Sequence, residues 1–163
     1  MPTIKVGKTD AENLHVNEKK WSKPLMQAGW SAVPSILIEK QQALGLDPVD
    51  MNIILHLIQY WWHPDNPPHP SVGTIAEAIG RDPRTVTRRI TALAQLGFLE
   101  RTERRQTRNG SDTNLYSFNG LIQKLQPYAV EKIAEKEMAK AVKAARVSRK
   151  KPKLVVNNPT DTQ

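Results

Sequence analysis

The sequence predicts a mainly α-helical protein with one small β-hairpin, followed by a long C-terminal helix. Apolar residues recur at intervals of three and four through most of the chain, and Gly and Pro fall where those segments should begin or end. Near residue 110 the pattern changes to short strand-like runs around an Asn-Gly turn signal. Each predicted element rests on one of these observations.

The stretch from Thr74 to Leu99 predicts two helices joined by a tight turn. Gly80 is the residue type that commonly ends a helix in the left-handed conformation. Asp82 is a suitable N-cap, and proline fits the first helical position because its missing N–H costs nothing there. We therefore expect the second helix to run from Pro83 to Leu96.

This second helix has one apolar face and one polar, cationic face. The predicted apolar stripe consists of Val86, Ile90, Leu93 and Gly97. The candidate DNA-binding residues on the helix and its preceding turn are Arg81, Arg84, Thr85, Thr87, Arg88, Arg89, Thr91 and Gln95. Arg and Gln side chains read base edges in a major groove, which favours nucleic-acid contact over an ordinary solvated helix face. One carboxylate against four arginines leaves a local charge of about +3, which strengthens that interpretation.

The same run resembles the bacterial winged helix-turn-helix superfamily. It fits the pattern T-V-x-R-x-I-x-x-L-x-x-x-G-x-[LI]-x-R at Thr85, Val86, Arg88, Ile90, Leu93, Gly97, Leu99 and Arg101. The resemblance covers roughly residues 30–128 and implies a winged helix-turn-helix fold that binds double-stranded DNA. It includes regulators as well as phage and plasmid replication proteins, so transcriptional regulation by operator occupancy and replication initiation both stay open.

A β-hairpin is predicted directly after the cationic helix. Residues 98–106 and 113–118 are strand-like, and the Asn-Gly signal lies between them. In a winged domain such a hairpin is the wing, and its candidate DNA contacts are Arg104, Arg105, Arg108 and Asn109. The alternative is an edge protected by charge, which needs no ligand.

Upstream of this region, proline and capping residues predict an extended segment and two helices. Residues 30–34 are expected to form a short strand, because proline disfavours the helical conformation of its predecessor. Ser35 is expected to cap a helix that Gly45 ends, and Asp47 to cap a central core helix from Pro48 to about Trp62.

The aromatic residues 60–62 and the proline-rich segment after them are interpreted as structural. Three consecutive rings on a helix point in three directions, so core or domain-edge packing is favoured over stacking on unpaired bases. His63 and His69 lie in the proline-rich segment without the set of ligand partners that a metal site needs, so no metal site is predicted. The segment should be a stiff loop leading to a helix capped by Ser71.

Residues 121–148 predict a long helix, kinked or restarted at Pro127. Its apolar seam consists of Val130, Ile133, Ala134, Met138, Ala141, Val142 and Ala145. Pairing with a second copy would bury this seam, so a homodimer is favoured. A single solvent-exposed helix held by i,i+4 ion pairs is the competing interpretation.

Composition limits the remaining possibilities. The 163 residues suit one domain with extensions: a flexible arm over residues 1–29, the winged domain over 30–120, the long helix, and a basic, polar, disordered tail over 149–163. The net charge of +8 is polarised, since residues 31–80 hold one lysine against five carboxylates whereas residues 81–153 sum to about +11. A basic half of this kind suits a polyanionic partner.

The sequence shows no arrangement typical of an enzyme. It has no cysteine, no Gly-rich phosphate loop and no carboxylate cluster with metal spacing, so no catalytic residue, cofactor or metal is predicted. No long apolar run or signal core is found, which predicts a cytoplasmic, nucleoid-associated protein without membrane contact. A small-molecule effector stays open, and so does a protein-interaction adaptor on a winged-helix scaffold.

Overall fold

The computed structural model describes residues 10–106, 110–111 and 113–147. The elements of this part of the chain are, in order, α1 (Asp10–Trp21), α2 (Lys23–Ala28), α3 (Ser35–Lys40), α4 (Pro48–Gln59), α5 (Val72–Ile79), α6 (Pro83–Gln95), β1 (Glu100–Thr102), β2 (Arg105–Gln106), β3 (Gly110–Ser111), β4 (Leu115–Ser117) and α7 (Asn119–Val147). The chain divides into two compact units, residues 1–125 and 126–163. The predicted fold class, mainly helical with a small hairpin and a long C-terminal helix, is confirmed.

The core of the first unit is built around α4. Ile53, Ile54 and Leu57 of this helix are completely buried. Apolar residues from the other elements close around them, namely Leu37, Leu46, Ile75, Ala76, Val86, Ile90, Leu93, Phe98, Leu99, Tyr116, Phe118, Leu121 and Leu125. Burying side chains of this size contributes about 1.5–3 kcal/mol each. Helices α5 and α6 both pack on α4.

The predicted caps of α4 and α5 are confirmed. The Asp47 carboxylate accepts hydrogen bonds from the backbone N–H groups of Val49 and Asp50, at 2.8 and 2.9 Å. The Ser71 hydroxyl accepts from the N–H of Thr74 at 3.0 Å. Helix α4 ends at Gln59, three residues before the predicted end at Trp62.

The residues around this helix end divide between the core and the surface, as the sequence predicted for three consecutive rings. The Trp61 ring lies 5.3 Å from that of Phe118, centroid to centroid, whereas Tyr60 and Trp62 are 40% and 65% exposed. Trp61 therefore joins the edge of the core.

Two predictions for residues 30–35 are wrong. Residues 30–34 form no strand, and Ser35 is the first residue of α3 without a side-chain cap hydrogen bond. The position beside the hairpin is taken instead by the proline-rich segment, where the carbonyl of Pro68 accepts from the N–H of Tyr116 at 2.9 Å. A proline carbonyl can accept this bond even though its nitrogen cannot donate, which is why a proline run is suited to a sheet edge.

The segment expected to be a flexible arm contains α1 and α2 in its described part. Ser22 separates the two helices with a backbone φ of +84°. A positive φ of this size is uncommon for a residue other than glycine, and it interrupts the helical conformation between α1 and α2.

The hairpin after α6 consists of two antiparallel ladders. β1 pairs with β4 so that Arg101 lies opposite Tyr116, and β2 pairs with β3 so that Arg105 lies opposite Ser111. On the first side of the hairpin, Glu103 and Arg104 separate the two ladders.

Helix α7 is continuous from Asn119 to Val147 and includes Pro127. Its first residues belong to the core of the first unit, where Leu121 and Leu125 are buried. Beyond Gln126 several large apolar side chains are about half exposed or more, namely Val130, Ile133, Met138, Val142 and Val147. This part of the helix presents an apolar seam to solvent.

Candidate nucleic-acid interface

Helices α5 and α6 and the three-residue turn between them form the candidate site. Gly80 ends α5 with a left-handed φ of +64°, and the N–H of Arg81 donates to the carbonyl of Ala76 at 2.9 Å. Asp82 then starts α6, its carboxylate accepting from the N–H of Arg84 at 2.8 Å. The predicted turn, cap and start at Pro83 are all confirmed.

The other end of α6 corrects one sequence expectation. Gly97, expected on the buried stripe, lies beyond the helix with a φ of +70° and is exposed. The N–H of Phe98 donates to the carbonyl of Leu93 at 2.9 Å, so the helix ends in a Schellman motif. The glycine is needed for the left-handed turn rather than for packing.

The orientation of α6 follows from its apolar stripe. Val86, Ile90 and Leu93 are at most 1% exposed and pack on the core. The residues on the opposite side share exposure to solvent and a spacing of three or four; they are Arg84, Thr87, Arg88, Thr91 and Gln95. We refer to these five side chains as the exposed row.

The exposed row combines cations with hydrogen-bonding groups. Within the described residues, the guanidinium groups of Arg84 and Arg88 have no carboxylate partner, so their charge is open to a ligand. Thr87 and Thr91 donate their hydroxyls to backbone carbonyls one turn earlier, both at 2.9 Å, and keep acceptor capacity. Arg81 is exposed in the turn before α6, whereas Thr85 is half-buried.

Arg89, which the sequence groups with the candidate DNA contacts, does not share this exposed position. Its Nε donates to Asp50 Oδ1 at 2.8 Å, and its Nη2 donates to both Asp50 and Asp47. The side-chain hydrogen bond to Asp50 raises the pKa of Arg89 above its ordinary value. The guanidinium therefore binds the start of α4, and its charge is neutralised within the protein.

Sequence analysis missed the role of the two carboxylates. Asp47 and Asp50 lie three residues apart at a helix start, which indicated only a local cap. Their partner, Arg89, is about forty positions away in sequence, and the exposed row lies next to it on the same helix. No local pattern separates an arginine turned toward a carboxylate from one turned toward solvent.

The wing residues fall into three groups. Arg104 is half-buried at the interruption between the two ladders, where it donates to the Thr113 carbonyl at 3.0 Å and to its hydroxyl at 3.1 Å. Arg105 lies in β2, without a described side chain. Arg108 and Asn109, the predicted contacts at the tip, lie outside the described residues.

A shallow groove of 520 Å³ connects the C-terminal half of α6 with the first strand of the wing. It is lined by Thr91, Ala94, Gln95, Leu99, Glu100 and Arg101. Arg101 is exposed and lies 3.5 Å from the Glu103 carboxylate. Thr91 and Gln95 of the exposed row therefore border the same groove as Glu100 and Arg101 of the wing.

Two further structural findings concern sites of other kinds. Among residues 10–106, 110–111 and 113–147, no three His, Asp or Glu side chains come together in a way that could hold a metal ion. The helices of this part are all too short or too polar to cross a membrane.

Comparison with protein families agrees with this architecture. Residues 44–99 match the family model described as a helix-turn-helix domain. This region spans α4, α5 and α6 and ends where the hairpin begins. Over these residues the chain is similar to a helix-turn-helix domain, and the hairpin that follows has the position of a wing. No curated protein matches the chain significantly.

Solved structures with a similar fold include the N-terminal domain of DnaD from Geobacillus kaustophilus HTA426. It is 21% identical, with a TM-score of 0.50, over 74% of this chain and 96% of that one. A possible transcriptional regulator from Methanosarcina mazei Go1 is 18% identical over 63% and 82% of the two chains, at a TM-score of 0.40. The multiple antibiotic-resistance repressor MarR from Listeria monocytogenes 4b F2365 is 17% identical over 85% and 94%, at a TM-score of 0.36.

Proposed function

We propose that this protein binds double-stranded DNA sequence-specifically and acts as a transcriptional regulator by occupying an operator. The observation that carries the proposal is the exposed row on α6, which presents two unpaired arginines among the described residues, two threonines and a glutamine on one helix face. In helix-turn-helix domains the second helix enters the major groove, and its N-terminal residues contact base edges. Arg84 and Arg88 occupy that part of α6.

The remaining predicted contacts have secondary roles in this proposal. Arg81 would contact a phosphate next to the groove, and Thr87, Thr91 and Gln95 would contact bases or phosphates further along it. The wing would contact the flanking backbone through the arginines near its tip. Arg89 is left out, because its guanidinium is bound by two carboxylates.

We also propose that the protein acts as a homodimer through the apolar seam of α7. Val130, Ile133 and Met138 are each more than 60% exposed, and single copies of a long helix rarely leave such residues in water. A two-fold dimer would place two copies of α6 on successive half-sites of one duplex.

The experiment that tests DNA binding replaces Arg84 and Arg88 by alanine. Each loss of a base contact should weaken specific binding by about 1–3 kcal/mol, and each lost phosphate contact should reduce the salt slope by about 0.9. Lys136→Ala, which removes one exposed positive charge from α7, is the matched control and should leave sequence preference unchanged. Unchanged duplex binding in the double variant would overturn the proposal in favour of an adaptor.

Selection of bound duplexes from a random pool separates the remaining functions. A palindromic motif is the result expected for a dimeric regulator. An asymmetric or repeated DNA motif would instead support replication initiation, the alternative that the resemblance to phage and plasmid replication proteins leaves open. No enrichment would contradict sequence-specific binding altogether.

A further inference from the structure

Arg89 links the candidate DNA-reading helix to the most buried helix of the protein. It lies on α6 next to Arg88 of the exposed row, yet its side chain reaches the N-terminus of α4. The Asp50 side chain is 6% exposed, whereas those of Arg89 and Asp47 are 29% and 44% exposed, so the pair between Arg89 and Asp50 is partly removed from solvent. Pairs of this kind are screened much less by salt than pairs on the open surface.

The two carboxylates that bind Arg89 are themselves held in place. Asp47 Oδ1 accepts from two backbone N–H groups of α4, and Asp50 Oδ2 accepts from the N–H of Asp47 at 3.1 Å. The remaining oxygens, Asp47 Oδ2 and Asp50 Oδ1, bind the guanidinium, and Asp50 Oδ2 is shared. Arg89 therefore contacts acceptors whose positions are already fixed by the cap of the core helix.

The apolar stripe of α6 cannot fix the rotation of the helix as the Arg89 hydrogen bonds do. Val86, Ile90 and Leu93 attach the helix to the core, but hydrophobic contacts are non-directional and permit small rotations and shifts. A planar guanidinium with two donating nitrogens fixes both the distance and the angle to its carboxylates. An error in helix rotation would misplace every side chain of the exposed row together.

We propose that Arg89 is a positioning residue, which sets the rotation of α6 through Asp47 and Asp50 and thereby aims the exposed row at the DNA groove. This inference rests on the proposed function, because the rotation of α6 affects sequence discrimination only if α6 reads DNA. It assigns Arg89 to sequence discrimination without any contact between Arg89 and DNA. The signature is a loss of specificity that leaves the electrostatic part of DNA binding unchanged.

The first test uses the full chain without DNA. Hydrogen exchange of the α6 backbone amides is measured in the unmodified protein and in the Arg89→Gln and Asp50→Asn variants. Faster exchange in α6 is expected in both variants, because each removes one side of the same bidentate pair. Unchanged exchange in both would overturn the proposal. If Arg89→Gln does not fold, Arg89→Lys replaces it and should give an intermediate increase, since an ammonium keeps the charge but not the planar fork.

The second test measures binding to the selected duplex and to a scrambled duplex over a range of salt concentrations. Arg89→Gln and Asp50→Asn should each lower the ratio of specific to nonspecific affinity by about tenfold, the size of one lost base contact. They should do so although one removes a positive charge and the other a negative one. The salt slope should stay constant in Arg89→Gln, whereas Arg81→Gln, the matched control that removes the proposed phosphate contact, should reduce it by about 0.9.

The outcomes separate failure of the inference from failure of the proposed function. If Arg89→Gln reduces the salt slope as Arg81→Gln does, Arg89 contacts phosphate and the proposal is wrong. If the two single variants lose specificity but the double variant loses the sum of both, the residues act independently and the proposal is also wrong. If the unmodified chain prefers no duplex, the proposed function fails, while faster α6 exchange would still assign Arg89 the orientation of the helix.

Discussion

Gly120, at the start of α7, lies directly against the carbonyl oxygen of Gly97. A Cβ on residue 120 would stand 2.0 Å from that oxygen, well inside any real contact distance. The N–H of Leu121 donates to the carbonyl of Phe98 at 3.0 Å in the same place. The end of α6 and the start of α7 are therefore joined through backbone atoms, which only glycine at position 120 permits.

Gly120→Ala should destabilise the protein. The added methyl group must displace backbone rather than a flexible side chain, and overpacking of this kind costs about 1–3 kcal/mol. The free energy of unfolding from urea titration measures the effect. Gly73→Ala is the matched control, because its Cβ would meet only the Ser71 hydroxyl, at an ordinary 3.6 Å. Equal stabilities of the two variants would contradict the close approach.

Asp82→Ala should destabilise α6 by about 1 kcal/mol. The carboxylate is the N-cap acceptor for the N–H of Arg84, and alanine offers no replacement. Asp82→Asn keeps a good capping side chain and removes only the charge, so it should retain most of the stability. Thermal or urea unfolding distinguishes the two, and equal losses would show that the charge rather than the cap is important.

Ile133→Glu should convert a dimer into a monomer. Ile133 is 62% exposed on α7. Burying an unpaired carboxylate in the centre of an apolar interface costs more free energy than the contacts of the seam contribute. Sedimentation at several protein concentrations measures the change. Ala139→Glu adds the same charge on the opposite side of the helix and should leave the dimer intact. A monomeric unmodified protein would refute the dimer itself.

Arg104→Met should loosen the wing. The variant loses the two hydrogen bonds to Thr113 that bridge the interruption in the hairpin, so local stability should fall by about 1 kcal/mol. Faster hydrogen exchange at β1 and β4 would report it. Thr113→Val removes only the hydroxyl acceptor and should have a smaller effect. A wing unaffected by Arg104→Met would show that the interruption between the ladders is stable without this side chain.

Local signals in the sequence predicted most of the helix-turn-helix segment. The caps at Asp47, Ser71 and Asp82 and the left-handed Gly80 depend on residues within four positions of one another. Capping interactions of such short range can be predicted from the sequence alone. The predicted faces of α6 also followed, since Val86, Ile90 and Leu93 are buried as their spacing indicated.

The failures depend on contacts between distant parts of the chain. Arg89 was grouped with the exposed arginines because nothing near it in sequence announces Asp47 and Asp50. The strand expected at residues 30–34 was misplaced because the edge of the hairpin is filled by Pro68, which has no strand propensity of its own. In both cases the partner was chosen by tertiary packing, which overrides local preference.

The proline-rich segment beside β4 has a consequence for solubility. Its carbonyl at Pro68 satisfies the N–H of Tyr116, and Pro68 and Pro70 are buried against the sheet. A strand from another molecule would need a row of N–H donors along the outer side of this segment, and Pro67, Pro68 and Pro70 have none. On the β4 side, the sheet is therefore bordered by a segment that discourages pairing with a strand of another copy.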